Sequence, residues 1–560
     1  MQIIAFISYL AVAAAATDAR VYNQKNLKGS HEDVHGYGCG NVGSSKFKVN
    51  SIHLRRSTFC YLYEKKNCKG SSIYVSRDVN DLHLDTMNSI YLFENVRFGA
   101  QPIRFGPSDF PNKTDTKTPS VTDCLQINPS VLKNPPGGRL PLGDPFQDLD
   151  PDMSHPPKAV NWTGTEDCLF LDVYVPRRVF DDPGAQLLPV TVWFYGGAYA
   201  FGTKRMKVAK IFNGPLYNGK SLIEASDYST IVVAGNYRLG AFGWLAGSFM
   251  EANGLPNDGF AWGESAGGGS ILHHLIRRNG EENPLFTRFL TQSPAFEWAW
   301  DNSPGGQLDQ VYQNFSQSLG CNAPYDIKCI RNPSISIERL GVANVNLFRN
   351  VKQTGLFPIG PAVDNNWITT IPTLAFAQQK FWPGIKSGLI SHCANDAQSF
   401  TPKHVTNNET FYEFLTKFLP GEKLAHLRTE IAEQYDCANN YDGNYNKCLR
   451  HIIRDASFTC NTRDLIDAYP RQADAMNYGF LNDSHALHAT DLIPLFGNVD
   501  FLGQITAMFE NGFDYAHDEA KELASTLKSK VIKTYLECLS SFAVYGNNNS
   551  TGNDGWPVVN

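Results

Sequence analysis

Gly263-Glu264-Ser265-Ala266-Gly267 is the stretch that decides the fold of this 560-residue chain. A G-x-S-x-G motif is typical of a nucleophile elbow, a sharp strand-to-helix turn that holds a serine hydroxyl clear of the backbone. Glycines flank the serine because side chains there would clash where strand and helix close together. The same pattern also arises by chance in ordinary glycine-rich turns, so the surrounding sequence has to decide between the two.

Two further segments precede the serine motif. An apolar run at 190–194 leads into Gly196-Gly197-Ala198-Tyr199, and an upstream stretch reads Glu166-Asp167-Cys168-Leu169-Phe170-Leu171-Asp172-Val173-Tyr174. With residues 263–270, they resemble the signatures of the type-B carboxylesterases, the α/β-hydrolase family that includes fungal lipases and cholinesterases. The resemblance runs from about residue 96 to 560. It implies an α/β-hydrolase fold, a mostly parallel central sheet flanked by helices.

The resemblance also implies a catalytic triad. A serine hydroxyl needs a base to take its proton and a third group to orient that base. In α/β hydrolases these groups follow in the order nucleophile, acid, histidine. Residues 487–492 and 496–497 resemble the histidine loop of the family, and residues 391–402 resemble its acid loop. The implied triad is Ser265, Asp396 and His488, with Asp396 standing where the family usually has the longer glutamate.

The third requirement is a set of donors for the tetrahedral oxyanion, of which a single one is worth about 3–4 kcal/mol. By resemblance these are the backbone N–H groups of Gly197, Ala198 and Ala266. Ala198 replaces a frequent glycine, and an alanine is readily accommodated there only if its φ is negative. His485, which lies near His488, stands at a position that the family does not use, and we interpret it as a solvated loop residue.

One part of the hydrolase sequence departs from the family. In the family, the Gly-Leu-Pro-Asn motif is followed by a helix and a buried strand, roughly thirty residues before the elbow. Here Gly254-Leu255-Pro256-Asn257 is followed by the elbow at Gly263, so about 25 of those residues are absent. The strand that feeds the elbow is predicted to span at most 260–262, and 241–253 is a candidate crossover helix. Either the coding sequence is incorrectly assembled near 257–260, or the chain is a true variant. In the second case the rival function is a non-catalytic, cholinesterase-like adhesion protein.

The first hundred residues have a different pattern. The pattern of residues 21–30 is repeated at 62–71. Each copy has an aromatic residue, six intervening residues and a glycine, and each is followed further along the chain by Asn-Ser-Ile. This repeat is similar to the Greek-key motif of βγ-crystallins and predicts a small all-β sandwich over 20–93. Asp85, Phe47 and Lys48 stand where calcium-binding members carry Asn/Asp pairs, so we expect a structural module without calcium that contacts a surface or cell wall. A fusion artefact remains an alternative.

Several features indicate a secreted protein. Residues 1–16 form an apolar run ending in small residues, which predicts a cleaved signal peptide rather than a membrane span. The twelve cysteines and the N-x-S/T sequons indicate an oxidising compartment and glycosylation. The sequons are Asn112, Asn161, Asn314, Asn408, Asn482, Asn548 and Asn549.

The resemblance implies disulfides Cys124–Cys168 and Cys321–Cys329, and leaves the other eight cysteines unassigned. These are Cys39, Cys60, Cys68, Cys393, Cys437, Cys448, Cys460 and Cys538. Neither a C-x-x-C pair nor a histidine cluster suggests a metal. The net charge of −6 gives no sign of the basic surface that nucleic-acid binding needs, so we expect no nucleic-acid partner.

Substrate choice is the least specific inference. Residues 124–168 correspond to the flap that serves as the lid of family lipases, and their many prolines disfavour a long lid helix. We therefore predict an esterase on soluble esters, without a cofactor, rather than an interfacial lipase. Phe296, Trp298 and Trp300 are candidates for the wall of an acyl pocket.

Overall fold

The computed structural model describes residues 10–24, 26–42, 49, 51–54, 60–65, 69–75, 90–111, 118–127, 162–177, 179, 188–206, 217–246, 262–295, 302–321, 326–348, 357–419, 422–478, 486–496 and 530–546. Several predicted features lie outside these ranges: most of the flap, the aromatic residues at 296–300, His485, Asp85, Phe47 and Lys48.

An eight-stranded sheet organises the main body. Its strands are β6 (Ile90–Arg97), β9 (Phe170–Pro176), β10 (Val190–Phe194), β11 (Ile231–Gly235), β12 (Trp262–Glu264), β13 (Arg288–Gln292), β14 (Ser387–Cys393) and β15 (Ala473–Tyr478). Two short strands, β7 (Gln126–Ile127) and β8 (Trp162–Thr163), pair separately with each other. The order in the main sheet is β15-β14-β13-β12-β10-β11-β9-β6. The six strands from β15 to β11 pair in parallel, and β9 pairs antiparallel with both β11 and β6. The mostly parallel sheet predicted from the sequence is therefore present, and its antiparallel pairings lie at one edge.

Helices connect and cover these strands. They are α1 (Lys220–Ala225), α2 (Ala241–Trp244), α3 (Ala266–Ile276), α4 (Gln307–Ser318), α5 (Ile327–Ile330), α6 (Ile337–Leu347), α7 (Pro372–Ala377), α8 (Asn408–Phe418), α9 (Ala425–Tyr435), α10 (Tyr445–Arg454), α11 (Cys460–Ala468), α12 (Ile493–Phe496) and α13 (Lys530–Tyr545). Helix α3 is buried along its whole length, because every residue from Ala266 to Ile276 is covered. A helix covered on all sides is typical of the core of a large α/β domain.

An aromatic cluster anchors the short strand β12 in the centre of the sheet. Trp262 lies with its ring centroid 4.8 Å from that of Trp193 on β10, and it stacks on Phe496 of α12 at 5.6 Å. Trp193 also contacts Phe496, at 4.8 Å. Such aromatic pairs stabilise by about 0.5–1.5 kcal/mol beyond their burial, so packing compensates in part for the few backbone bonds of β12.

The elbow strand differs from its prediction. We expected it at 260–262, but β12 begins at Trp262 and continues to Glu264, directly before the serine. Trp262, Gly263 and Glu264 pair with β13, and the first two also pair with β10. This pairing extends the strand to the elbow itself. Of the candidate helix at 241–253, α2 covers 241–244, and residues 247–261 lie outside the described part of the chain.

Strand β6 crosses the predicted boundary between the N-terminal module and the main body. A boundary at Phe93 falls inside β6, which pairs antiparallel with β9 and completes the edge of the main sheet. A bulge at Asn95, with φ 54°, lets its N–H donate to Asp172 at 2.8 Å. The buried Lys204 ammonium lies 2.6 Å from the same carboxylate, and Arg205 lies 3.0 Å from its other oxygen. The edge strand is thus held by side chains of the main body.

The N-terminal strands form a five-stranded sheet of their own. They are β1 (Leu10–Tyr22), β2 (His31–Val42), β3 (Ser51–Leu54), β4 (Cys60–Lys65) and β5 (Lys69–Val75), in the order β2-β1-β4-β5 with β3 on β1. Ser51 is buried, and its hydroxyl stabilises the turn of the first repeat. The hydroxyl donates to Gln24 O and accepts from Leu27 N. Gly29 in that turn has φ +84°, a conformation that favours glycine. A Greek-key sandwich remains a prediction.

The predicted signal peptide overlaps β1. Ala11–Ala14 of β1 pair with β4, whereas Ala19–Tyr22 pair with β3. Cleavage near Ala16 would remove the first of these pairings and leave the second. The leader and the β1–β4 pairing therefore exclude each other in one molecule, and the leader stays a prediction.

Three disulfides lie within the described residues. Cys124 joins Cys168, and Cys321 joins Cys329, the two pairs that the resemblance implied. A third, Cys437–Cys448, links the segments around α9 and α10 and was not predicted. Cys460, on the exposed surface, is a free cysteine.

Candidate active site

Ser265 stands on a strained turn between β12 and α3. Its backbone has φ 55° and ψ −122°, and its N–H donates to Gln292 O at 2.9 Å. A Cβ at Gly263 would collide with the backbone of Gly267, and one at Gly267 would collide with the carbonyl of Phe194. The flanking glycines are therefore required by close backbone approach. This is the geometry expected for a nucleophile elbow.

The histidine and the acid predicted for the triad meet beside this turn. His488 Nδ1 lies 2.8 Å from Asp396 Oδ1, although the residues are far apart in the chain. Asp396 is completely buried at the start of a 3₁₀ turn (Asp396–Phe400) after β14. Its other oxygen accepts from Ser293 Oγ at 3.0 Å and from Cys393 N at 2.9 Å. With these donors fixed, the carboxylate holds the imidazole in one orientation.

Glu264, the residue before the nucleophile, faces the second imidazole nitrogen. Its Oε1 lies 3.1 Å from His488 Nε2, and the side chain is buried. Among the described residues, no hydrogen bond joins Ser265 Oγ to His488 Nε2. Sequence reasoning assigned Glu264 no role, although its place inside the motif was a usable signal: a residue that adjoins the nucleophile must lie near the base.

The pKa values of Glu264 and His488 both lie above their ordinary values, for different reasons. Burial is the main cause that raises the pKa of Glu264 to about 8. For His488, burial lowers the pKa, but the Glu264 carboxylate and the Asp396 hydrogen bond outweigh it and raise the pKa to about 9. The imidazole therefore holds its proton more tightly than an isolated histidine, and must release it before acting as a base.

Asp491 is a third buried carboxyl at the site, on the 3₁₀ turn Thr490–Leu492 that follows His488. Its Oδ2 accepts from Gln292 Nε2 at 2.7 Å. Burial is the main cause that raises its pKa to about 6. The sequence assigned neither Asp491 nor Gln292 a function, because neither belongs to the triad pattern.

The predicted oxyanion segment follows β10 in a turn with positive φ angles. Gly197 has φ 112° and Ala198 has φ 51°, so Ala198 does not have the negative φ at which an alanine is readily accommodated. The reason is the turn itself: Ala200 N and Phe201 N both donate to Gly197 O, at 2.9 and 3.2 Å. An alanine in the left-handed region costs about 1–2 kcal/mol.

The three predicted oxyanion donors make no hydrogen bond to other described residues. They are the backbone N–H groups of Gly197, Ala198 and Ala266. Gly196 packs against Glu264 and Ser265, since a Cβ there would meet both side chains. The loop after β10 and the elbow therefore lie against each other, as an oxyanion hole requires.

Two aromatic rings cover the imidazole of His488. Phe400 lies 5.1 Å from it in a T-shaped contact, and Phe458 lies 4.9 Å from it. Phe458 is carried by a π-helical turn, Asp455–Thr459, between α10 and α11. Such turns are often found at functional sites, and here the turn places an aromatic ring on the histidine.

The described residues contain no group of three or more side chains arranged to hold a metal ion. Within the same part of the chain, no helix is both long and apolar enough to cross a membrane. The groups that meet at the elbow are a serine, a histidine and carboxyls, the set used in nucleophilic acyl transfer.

Comparison with known proteins gives a family match. A sequence model described as the carboxylesterase family matches residues 80–261 and 253–560. The two matches meet where the expected segment before the elbow is absent. The first match also begins upstream of β6, in agreement with the place of that strand in the main sheet.

Named relatives and solved structures agree. A secreted lipase of Arthroderma benhamiae is 32% identical over 375 residues, covering 62% of this chain and 68% of the relative. Carboxylesterase patB of Aspergillus clavatus is 28% identical over 474 residues, covering 74% and 81%. Aspergillus niger EstA superimposes with a TM-score of 0.57 at 19% identity, covering 82% of this chain and 86% of its own. A thermophilic PNB esterase gives 0.56 at 22%, covering 84% and 90%. The structural likenesses show the fold.

Proposed function

This chain belongs to the carboxylesterase family and is a carboxylic ester hydrolase, and we propose that it works through an acyl-Ser265 intermediate. Ser265 Oγ attacks the ester carbonyl while His488 Nε2 takes its proton. The N–H groups of Gly197, Ala198 and Ala266 bind the resulting oxyanion. His488 then returns the proton to the leaving alcohol, and water hydrolyses the acyl-enzyme by the same steps in reverse.

One observation carries this proposal: the buried 2.8 Å contact between His488 Nδ1 and Asp396 lies beside an elbow whose serine has φ 55°. Nδ1 bound to a carboxylate leaves Nε2 as the working nitrogen. In the resting state Nε2 faces Glu264 at 3.1 Å. To act as the base, Nε2 has to turn from Glu264 to Ser265 Oγ, and such catalytic hydrogen bonds often form only in the substrate complex.

Active-site labelling tests the proposal. The folded protein is treated with a fluorophosphonate, and the adduct is mapped by mass spectrometry. We expect one adduct on Ser265, lost in Ser265→Ala. Ser270→Ala is the matched control, because Ser270 lies on α3, is equally buried, and bonds Ala266 O with its hydroxyl. An unlabelled but cooperatively folded protein, or an adduct that survives Ser265→Ala, would refute the acyl-serine mechanism.

We propose soluble carboxylic esters as the substrates and the extracellular space as the location. The proline-rich sequence of 128–161 supports the first point, because prolines disfavour a long lid helix. The secreted lipase relative and the three disulfides support the second. Hydrolysis of dissolved p-nitrophenyl butyrate, together with no increase in triglyceride hydrolysis once the triglyceride forms an emulsion, would agree with an esterase. Strong interfacial activation would overturn that assignment.

Glycosylation is part of the same proposal. Asn314 and Asn408, two of the predicted sequon residues, are exposed on α4 and α8. Exposure is a condition for modification by a large sugar. Peptide mass shifts after treatment with an endoglycosidase would identify the modified asparagines. Contact of the N-terminal sheet with a cell wall stays a prediction.

A further inference from the structure

The carboxyl end of β13 supplies no member of the proposed triad, yet it contacts the segments that carry all three. Gln292 O accepts the N–H of Ser265 at 2.9 Å. Ser293 Oγ donates to Asp396 at 3.0 Å. The side chain of Gln292 donates to Asp491 of the histidine loop at 2.7 Å. Successive residues along a strand point to opposite sides, so two neighbours can reach two different loops.

The Gln292 amide uses all of its hydrogen-bonding groups in a buried position, with 1% of the residue exposed. Its Oε1 accepts from Trp262 Nε1 at 3.3 Å. Its Nε2 donates to Asp491 Oδ2 and, at 3.3 Å, to the hydroxyl of Tyr535 on α13. A primary amide offers one carbonyl oxygen and two N–H groups. One side chain therefore joins the elbow strand, the histidine loop and the C-terminal helix.

This link bears directly on the geometry of the base. Asp491 follows His488 by three residues, and the turn between them is closed by a bond from Leu492 N to Ala489 O. Displacement of Asp491 would therefore displace His488. On the other side of the link, β12 is only three residues long, so its position depends on its contacts with neighbouring strands and side chains. Trp262, which begins this strand, is one of the residues that Gln292 holds.

We propose that Gln292 is a positioning residue for ester hydrolysis: its side-chain amide fixes the histidine loop relative to the nucleophile elbow. This inference rests on the proposed function, because it presupposes that Ser265 and His488 react together. Gln292 touches neither substrate nor reacting atoms. It acts through Trp262 on one side and Asp491 on the other.

The first test is Gln292→Met. Methionine keeps the length and volume of the side chain but removes its three hydrogen bonds, so the loop is free to shift. A misplacement of about 1 Å costs about a hundredfold in rate. We expect kcat on p-nitrophenyl butyrate, and the rate of fluorophosphonate labelling, to fall by about that factor, with KM little changed because no substrate contact is lost.

Asn302→Leu is the matched control. Asn302 is a buried amide that donates to Val363 O at 2.9 Å, and this bond joins no residue of the site. We expect this variant to keep the labelling rate of the parent. If Asn302→Leu loses as much activity as Gln292→Met, the effect reflects general loss of a buried amide, and the positioning role is refuted.

Gln292→Glu provides a rescue that a merely structural role would not produce. It places a carboxyl within hydrogen-bond reach of Asp491, and two carboxyls so close share one proton. The other titratable groups around this pair are Glu264, Asp396, Cys393, His488 and Tyr535. At lower pH the shared proton restores the link. We therefore expect the labelling rate of Gln292→Glu, relative to the parent at each pH, to rise as pH falls.

The outcomes separate this inference from the proposed function. A parent that is not labelled on Ser265 refutes the proposed function. A parent labelled on Ser265, with Gln292→Met labelled equally fast, refutes the positioning role alone. If Gln292→Met does not fold, Gln292→Glu decides. A ratio of its labelling rate to that of the parent that stays constant with pH overturns the inference, and a ratio that rises as pH falls supports it.

Discussion

Replacement of Glu264 by glutamine should move the acid limb of the activity profile to lower pH. In the proposed mechanism neutral His488 is the base, so activity is present above the pKa of that histidine and is lost as pH falls through it. Burial lowers this pKa, and the Glu264 carboxylate, 3.1 Å from Nε2, is the largest influence in the other direction. Glutamine keeps the shape of the side chain but removes the charge that stabilises imidazolium.

The size of the effect follows from the same contact. The rise of the His488 pKa from 6.5 to about 9 corresponds to about 3 kcal/mol in favour of imidazolium, at about 1.4 kcal/mol per pH unit. Asp396 supplies part of that free energy and remains in place in the variant. We therefore expect the midpoint of the acid limb to fall by about 1–2 pH units.

The assay is kcat/KM for p-nitrophenyl butyrate as a function of pH, because this ratio reports the pKa of the free enzyme. Glu409→Gln is the control, since Glu409 is an exposed residue in the first turn of α8 and undergoes the same chemical change. It should leave the profile in place. An acid limb of Glu264→Gln that stays in place or moves to higher pH would refute the electrostatic argument.

Three further changes have defined outcomes. Lys204→Met leaves Asp172 buried with one charged partner fewer, and should lower the free energy of unfolding by about 3–5 kcal/mol in a urea titration; a loss below about 1 kcal/mol, as for a surface pair, would contradict this. Ala198→Gly relieves an alanine with φ 51° and should raise that free energy by up to about 1 kcal/mol, after the entropy cost of glycine; destabilisation would show that the methyl group packs usefully. N-terminal sequencing of the secreted protein should find a start near Thr17, and a start before Ala11 would show instead that β1 keeps its pairing with β4.

The elbow and the mostly parallel character of the sheet were accessible from the sequence because their determinants are local. The turn at Ser265 requires neighbours without side chains, and the sequence shows glycine at both positions, Gly263 and Gly267. Apolar runs such as Ile231–Gly235 likewise indicate buried parallel strands. The motifs also select His488 and Asp396 from the other histidines and carboxyls, and the structure brings these two within 2.8 Å.

Other features could not be read in this way. The repeat assigned Ile90 to the N-terminal module, whereas backbone pairing with β9 places Ile90–Arg97 in the main sheet. Pairing partners depend on which edge is free in the folded chain, and a strand pattern does not specify that edge. The positive φ of Ala198 could not be read from the sequence for a related reason: the turn that closes on Gly197 O overrides the preference of the alanine.

The sequence by itself determined the family, the strained serine turn and the candidate residues for the triad, because these follow from residue types in contiguous motifs. Only the tertiary structure decided that Glu264 faces His488 Nε2 and that Gln292 reaches Asp491. Gln292 and Asp491 are 199 positions apart, and nothing in either local pattern marks the other as its partner. Their contact, and the raised pKa of the buried carboxyls, arise when packing brings distant segments together and excludes water.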